Sequence, residues 1–244
     1  MATDYRIADY LGFLTDLSET GQPYFLEGGQ AVNFWAEYFS AKDSGDALAR
    51  FRPFTSKDCD IWVSLAVLRY LEGQTDQGTL VKGISPADGQ LGIFTLKGAE
   101  ALKVDLMTSV YGIRQSKIDQ VVSRAITVNG VSVMDPLLLF QSKCHCLLGL
   151  DQKGRQDEKH LKMLCAILPE HFEEALNDTI QGRATERALI NEVKLLQTIQ
   201  KTDRVKRALE LVEIEPASLI RSERLRSCGL EKVEQFAARS IDEV

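Results

Sequence analysis

The sequence predicts an α/β chain of the α+β kind, a small mixed sheet followed by an all-helical part, and three observations carry that reading. Between Tyr24 and Phe39 a short apolar strand, a Gly28-Gly29 pair and a helical pattern follow one another. Between Asp58 and Val133, short runs of aromatic and β-branched residues recur, bounded by Gly, Pro and Asn-Gly signals. From Asp135 onward the segments have the 3.6-residue period of helices. The change of character near residue 134 divides the chain into an N-terminal domain, 1–134, and a helical domain, 135–244.

Each element has its own signal. Ile7, Tyr10, Leu11, Leu14 and Leu17 recur at helical spacing, and Glu19-Thr-Gly-Gln-Pro23 ends that helix. Tyr24-Phe25-Leu26 is a strand, Glu27-Gly28-Gly29-Gln30 breaks it, and Ala31, Val32, Phe34, Trp35 and Phe39 repeat as a helix. Residues 40 to 50 read as a loop with a helical turn. Asp58-Cys-Asp60 leads into a strand through Val63, and Leu65, Leu68 and Leu71 mark a helix closed by Glu72-Gly73-Gln74. Thr79 to Ile84 and Leu91 to Leu96 are strands expected to pair antiparallel across Ser85-Pro86-Ala87-Asp88-Gly89-Gln90. Ala101 to Met107 is a strand interrupted by Asp105, residues 114 to 124 form a helix, and residues 126 to 133 a hairpin around Asn129-Gly130. The helical part reads as 136 to 150, 155 to 168, 169 to 176, 183 to 199, 203 to 212, 216 to 226 and 230 to 238. Asp135 suits the N-cap of its first helix and Pro136 the first turn.

Composition excludes several classes. With 244 residues, 44% hydrophobic and 26% charged, the chain is long enough to bury a sizeable core. No apolar run approaches the roughly 18 residues of a membrane span, and the first residues lack a basic region followed by an apolar stretch. No membrane role and a cytoplasmic location are therefore expected. Five cysteines with no Cys-x-x-Cys spacing suit a reducing compartment. Cys144-His145-Cys146 invites a metal reading, but adjacent residues on a helix diverge around its axis. The net charge of −6 argues against an extended duplex-DNA reader. That charge sits in residues 1 to 110, with 9 Lys+Arg and 15 Asp+Glu, while the remainder balances. Within the remainder, residues 183 to 207 carry a local excess of +4, either a solvated helix face or a phosphate-tracking surface.

The chemistry centres on acids. Alternate residues of a strand share a face, so Asp58 and Asp60 point together while Cys59, Ile61 and Val63 turn to the core. Two carboxylates roughly 6 to 7 Å apart repel unless solvent or a divalent cation lies between them. The alternative is a solvated turn before a strand. Asp105 follows Asp60 by 45 positions, and only a neighbouring strand of the same sheet brings it to the pair; otherwise it faces water on an edge. Gly28-Gly29 allows positive φ and close approach to the backbone, and the first-turn N–H groups of the next helix suit an anion, although a purely structural turn reads the same way. Arg52 and Lys57 bracket the loop before Asp58, either to contact polyphosphate or to balance the acids.

In order, Glu27-Gly28-Gly29-Gln-Ala-Val, Arg52-Pro-Phe-Thr55-Ser-Lys57-Asp58-Cys-Asp60 and Lys103-Val-Asp105-Leu-Met, followed by a helical domain, resemble the nucleotidyltransferases of the DNA polymerase β superfamily. More narrowly, the set resembles the bacterial group that includes the abortive-infection type nucleotidyltransferase toxins. Lys143 matches the lysine that such proteins carry on the helix after the sheet. Arg155-Gln-Asp157-Glu-Lys-His160 matches their Arg/Asp-rich segment in part, with His160 where a second Asp is expected. The loop from Arg52 to Asp58 is longer than their compact form. The resemblance spans about residues 24 to 165. It implies transfer of a nucleotide from a nucleoside triphosphate to an acceptor hydroxyl, an RNA end in the toxin-like case. Asp58, Asp60 and Asp105 would be catalytic and hold Mg2+ or Mn2+. Gly28, Gly29, Lys57 and Lys143 would bind the nucleotide, and Arg155, Asp157, Arg204, Lys206 and Arg207 the acceptor. A protein partner such as an antitoxin is implied as well.

Two other classes fit the same residues. One is a catalytically silent nucleotide-binding module on this fold, and the other an interaction protein whose amphipathic helices contact a partner. Labelled nucleoside triphosphates with Mg2+ separate them, through transfer, retention or neither.

Overall fold

The triplet Tyr24-Phe25-Leu26 becomes the buried middle of the sheet. In the computed structural model, which describes residues 4–42, 45–83, 89–98 and 102–240, strand β1 (Tyr24–Glu27) is buried at all four positions. Such full burial is what a continuous apolar run, rather than an alternating one, specifies. Six more strands complete one mixed sheet: β2 (Cys59–Val63), β3 (Gly78–Lys82), β4 (Gln90–Leu96), β5 (Lys103–Met107), β6 (Ile126–Val128) and β7 (Val131–Val133), in the order β3-β4-β5-β2-β1-β7-β6. β2 runs antiparallel to β1 and parallel to β5, and β1 runs parallel to β7. The β3–β4 and β6–β7 pairs are antiparallel as expected. Ile84 and most of the turn expected at Ser85–Gln90 lie outside the described residues, as does Ala101.

Along β2, Cys59, Ile61 and Val63 are buried while Asp60 and Trp62 are half-buried, the parity that places two functions on two faces. Phe25 and Trp62, opposite each other across β1 and β2, stack at 5.3 Å. Helix α1 (Leu11–Glu19) covers β7, and the Tyr24 hydroxyl donates to the Leu14 carbonyl at 2.6 Å. Helix α2 (Gly28–Ser40) leaves β1 with no intervening loop, so the expected break at Glu27–Gln30 is confined to one backbone reversal at Gly28. Ala31, Val32, Phe34, Trp35 and Phe39 are buried on it. Trp35 Nε1 donates to the Met134 carbonyl at 2.9 Å. The rest of this half comprises α3 (Gly45–Ala49), α4 (Leu65–Gly73) and α5 (Ile118–Arg124).

Helix α6 (Pro136–Gly149) is buried over most of its circumference. It packs against α2, against α7 (Asp157–Ile180), and against α8 (Glu186–Gln200) and α9 (Asp203–Leu211). Helices α10 (Ser222–Arg226) and α11 (Glu231–Ser240) close the chain. Buried side chains on both sides of residue 134 form one contiguous cluster. No helix among the described residues is long and apolar enough to cross a membrane.

Two sequence expectations fail for tertiary reasons. Pro169 does not end a helix: α7 runs through it for 24 residues. A helix-interior proline costs about 3 kcal/mol, but Leu164, Leu168, Phe172 and Leu176 stay buried along one face, and each such burial contributes about 1.5 to 3 kcal/mol. Residues 216 to 226 form not one helix but a 3₁₀ turn, Pro216–Leu219, and then α10.

The entry to α6 is fixed by Asp135, which accepts from Leu137 N at 2.8 Å and Leu138 N at 3.3 Å. Its other oxygen pairs with Arg124 at 2.6 Å, and Arg124 also reaches Glu192 on α8. Asp135→Ala is expected to cost about 2 to 4 kcal/mol, about 1 from the lost cap and the rest from breaking a buried ion pair. Asp135→Asn keeps a cap acceptor and should lose less. Urea unfolding of both variants measures the gap, and equal losses would remove the cap from the account.

Candidate metal centre and its cleft

Sheet register brings the acids together. Asp60 on β2 stands opposite Asp105 on β5 and, on its other side, opposite Glu27 on β1. Residues opposite one another in a sheet share a face, and Asp58, two residues before Asp60, joins that face. Carboxylate oxygens of Asp58, Asp60 and Asp105 lie within 4.8 Å of one another. Three hard oxygen donors at that separation suit a divalent cation such as Mg2+ or Mn2+. Their electrostatics fit as well. Burial, with the charges of Asp58 and Asp105, pushes Asp60 up to about 7. Burial and Asp58 also raise Asp105, partly opposed by Gln90, whose Nε2 donates to Asp105 Oδ1 at 2.9 Å. A cation offsets both the repulsion and the lost hydration.

Glu27, which the sequence marks only as a strand end, is a fourth carboxyl group in this space. It is 6% exposed, and its Oε1 has no hydrogen-bond partner among the described residues. Burial and then Asp60 hold its pKa well above the usual carboxylate range. Its place beside Asp60 depends on which strand flanks β2, and no local pattern encodes that.

The cleft beside these acids has a volume of about 850 Å³. Gly28 and Gly29 line it with Asp58 and Asp60. Gly28 has φ +65°, and a Cβ there would collide with Asp60 Oδ2, so the acid occupies the space that a side chain would fill. From the helical side come Lys143 on α6 and Arg155, Asp157 and His160 at the start of α7. Lys143 is 4% exposed, and its Nζ contacts Asp157 Oδ1 at 3.0 Å; Arg155 Nε contacts Oδ2 at 2.5 Å. Burial works against ionising Asp157, but Lys143 and Arg155 outweigh it and pull the carboxyl down to about 2. His160 is driven to the neutral form, by burial first and then by Lys143. Met107, Val110, Tyr111, Ile113 and Leu150 add apolar surface to the lining.

Lys57 also lines the cleft, and its Nζ donates to the Gly154 carbonyl at 2.8 Å. Arg204, Lys206 and Arg207 do not line it. They are exposed on α9, and Arg204 Nη1 lies 3.4 Å from His145 Nδ1. The ring of His145 packs over Gly112 at the cleft's edge. Cys144 and Cys146 are buried on α6.

Fold and site together define an α+β protein with a carboxylate cluster suited to a divalent cation. No protein-family model matches the sequence, and no curated protein matches it. Among solved structures, an antigenic nucleotidyltransferase-like protein from Paracoccidioides brasiliensis is similar, with a TM-score of 0.44 and 13% identity over 85% of this chain and 95% of that one.

Asp60 gives the cluster a pH signature. Folded Asp60 protonates near 7 and an unfolded aspartate near about 4. The contribution of Asp60 to the stability of the metal-free protein therefore falls as pH rises from about 4 to 7, and no further above that. Asp60→Asn removes the loss. In chelator-treated samples the variant's urea midpoint should gain on the wild type across that window, and Mg2+ should raise the wild type more than the variant. A difference that stays flat from pH 4 to 8 would contradict the assigned electrostatics.

Proposed function

We propose that this chain is a metal-dependent nucleotidyltransferase that moves a nucleotide from a nucleoside triphosphate to an acceptor hydroxyl. The observation that carries the reading is the convergence of Asp58, Asp60 and Asp105, from the region of two parallel strands, in a cleft that also holds a helix N-terminus and the buried Lys143. Held by the three carboxylates, Mg2+ or Mn2+ supplies positive charge against the triphosphate and makes a hydroxyl easier to ionise. The chain's own groups do the rest.

Gly28 and Gly29 let phosphoryl oxygens approach the first-turn N–H groups of α2. Lys57 has donors left beyond the Gly154 carbonyl, and Lys143, fixed by Asp157, adds charge from the helical side. The acceptor oxygen attacks the α-phosphorus, the bond from that phosphorus to the β-bridging oxygen breaks, and pyrophosphate leaves. The hydroxyl proton passes to Asp105, which Gln90 holds in place through a hydrogen bond to Oδ1. In this reading Arg155 and Asp157 orient the acceptor side, while the nucleotide is held by groups from both sides of residue 134. In the toxin-like form of this reading the acceptor is an RNA end, the protein acts in the cytoplasm, and an antitoxin protein restrains it.

Incubation with each labelled nucleoside triphosphate, Mg2+ and total RNA tests the reaction. Wild type should transfer label, and Asp58→Asn, Asp60→Asn and Asp105→Asn should each reduce transfer by at least about a hundredfold, as loss of a metal-holding charge does. Retention of nucleotide without transfer would instead make the chain a silent binding module.

The RNA acceptor has a separate test. Arg204, Lys206 and Arg207 are exposed on α9 and do not line the cleft, and of the three Arg204 contacts His145, so in this reading they serve a long acceptor rather than the triphosphate. Replacing all three by Ala should reduce RNA labelling and flatten its log–log salt dependence by about 0.7 for each phosphate no longer neutralised. Triphosphate affinity should not change. Label appearing only on a small molecule or a protein side chain would replace RNA as the acceptor.

A further inference from the structure

His160 is 3% exposed and lines the cleft, yet neither Nδ1 nor Nε2 has a hydrogen-bond partner among the described residues. Buried polar atoms left unpaired are costly, and a ligand oxygen accepting from the ring's N–H removes part of that cost. The ring's position says which ligand. Its Cε1, the carbon between the two nitrogens, lies 2.9 Å from where a Cβ on Gly29 would stand, and Ser56 Oγ lies 2.5 Å from the same point. Imidazole and hydroxyl therefore flank a backbone that carries no side chain. Gly29 is the second residue of the 13-residue helix α2, and the Glu27 side chain does not cap that helix. The first-turn N–H groups have no partner within the helix and carry the positive end of its dipole. Lys143 and Arg155 add positive charge from the other side of the cleft. A donor-bearing ring and a helix N-terminus meet at Gly29 in a cleft that two cations also line, a setting that suits an oxyanion.

We propose that His160 is a phosphate-binding residue of the nucleotide site: its imidazole N–H donates to an oxygen of the triphosphate's β- or γ-phosphoryl group seated against Gly29 at the N-terminus of α2. The proposal rests on the nucleoside-triphosphate reading and deepens it, because it assigns the phosphate tail to the seam between the two halves of the chain. His160 enters from α7, while the N–H groups belong to the helix that leaves the sheet. The terminal phosphates then touch both halves at once, whereas the α-phosphate lies with the carboxylates.

Inorganic tripolyphosphate with Mg2+ tests the contact without nucleotide or transfer. His160→Phe keeps a ring against Gly29 but removes both nitrogens, and His160→Gln returns one amide donor. Calorimetry should show the Phe variant binding Mg2+-tripolyphosphate about tenfold or more weakly than wild type, with Gln recovering part of the loss. Melting of the ligand-free Phe variant within a few degrees of wild type shows that the fold is kept. In ¹⁵N-histidine spectra of the three histidines, the resonance missing from the Phe variant is His160, and in wild type it should move on addition of Mg2+-tripolyphosphate. Equal binding by wild type and Phe variant overturns the proposal, as does a stationary His160 signal in ligand-saturated protein or no binding by wild type. If His160 binds tripolyphosphate but no triphosphate yields label transfer, the transferase reading falls and the phosphate site stands. If transfer occurs while the Phe variant binds as wild type does, this proposal falls alone.

Discussion

Glu27, Asp60 and Asp105 stand opposite one another on three adjacent strands, with Asp58 beside them. Two unit charges about 5 Å apart in a medium of effective dielectric about 20 repel by about 3 kcal/mol. That exceeds the roughly 0 to 1 kcal/mol of an exposed salt bridge, so surface pairing cannot hold such groups together. The sheet holds them instead. Their backbones are locked by ladder hydrogen bonds, and the inward residues Cys59, Ile61, Val104 and Leu106 are buried. Protonation relieves part of the strain: burial and Asp60 push Glu27 well above the usual carboxylate range, and Asp60 is pushed up to about 7. The arrangement is poorly suited to stability alone and well suited to receiving positive charge.

The helical half supplies a fixed counterweight at a distance. Lys143 and Arg155 approach the acids without cancelling them, because both are engaged by Asp157. Asp157 thus decides where the positive charge sits and keeps Lys143 ionised despite its burial, which alone would lower its pKa. The cleft is left with a negative patch, a positive patch and apolar surface.

Much of this was legible in the sequence, and the remainder was hidden for identifiable reasons. The shared face of Asp58 and Asp60 follows from a period of two, and the hairpin at Asn129-Gly130 from its turn residues, which take φ of 49° and 77°. Asp105 was legible only conditionally, since a one-residue change of register would have sent it to the other face. Glu27 was not legible, because strand order lies outside any local pattern. The Lys143–Asp157 pair spans two helices, and the unpaired nitrogens of His160 exist only where α7 meets Gly29. Pro169 misled because tertiary burial outweighed a local preference. The cationic segment at 183 to 207 was visible as composition, but its exposed residues on α9 lie outside the cleft, a matter of helix packing that charge counting does not reach.

Two lysines cross between the halves of the chain and end on main-chain oxygens: Lys57 on the Gly154 carbonyl and Lys159 on the Pro53 carbonyl, at 2.8 and 3.0 Å. They run in opposite directions, one from the loop before β2 to the segment before α7, the other from α7 back to that loop. Asp58 therefore rides on a segment stitched at both ends to the helical half. The placing of Asp58 is thereby tied to that of α7 through main-chain contacts rather than through charge. Because both acceptors are peptide oxygens, the chemical identity of the side chains at 53 and 154 does not enter either bond. The mechanical link is written in two lysines alone, and a comparison of sequences would register only half of each contact.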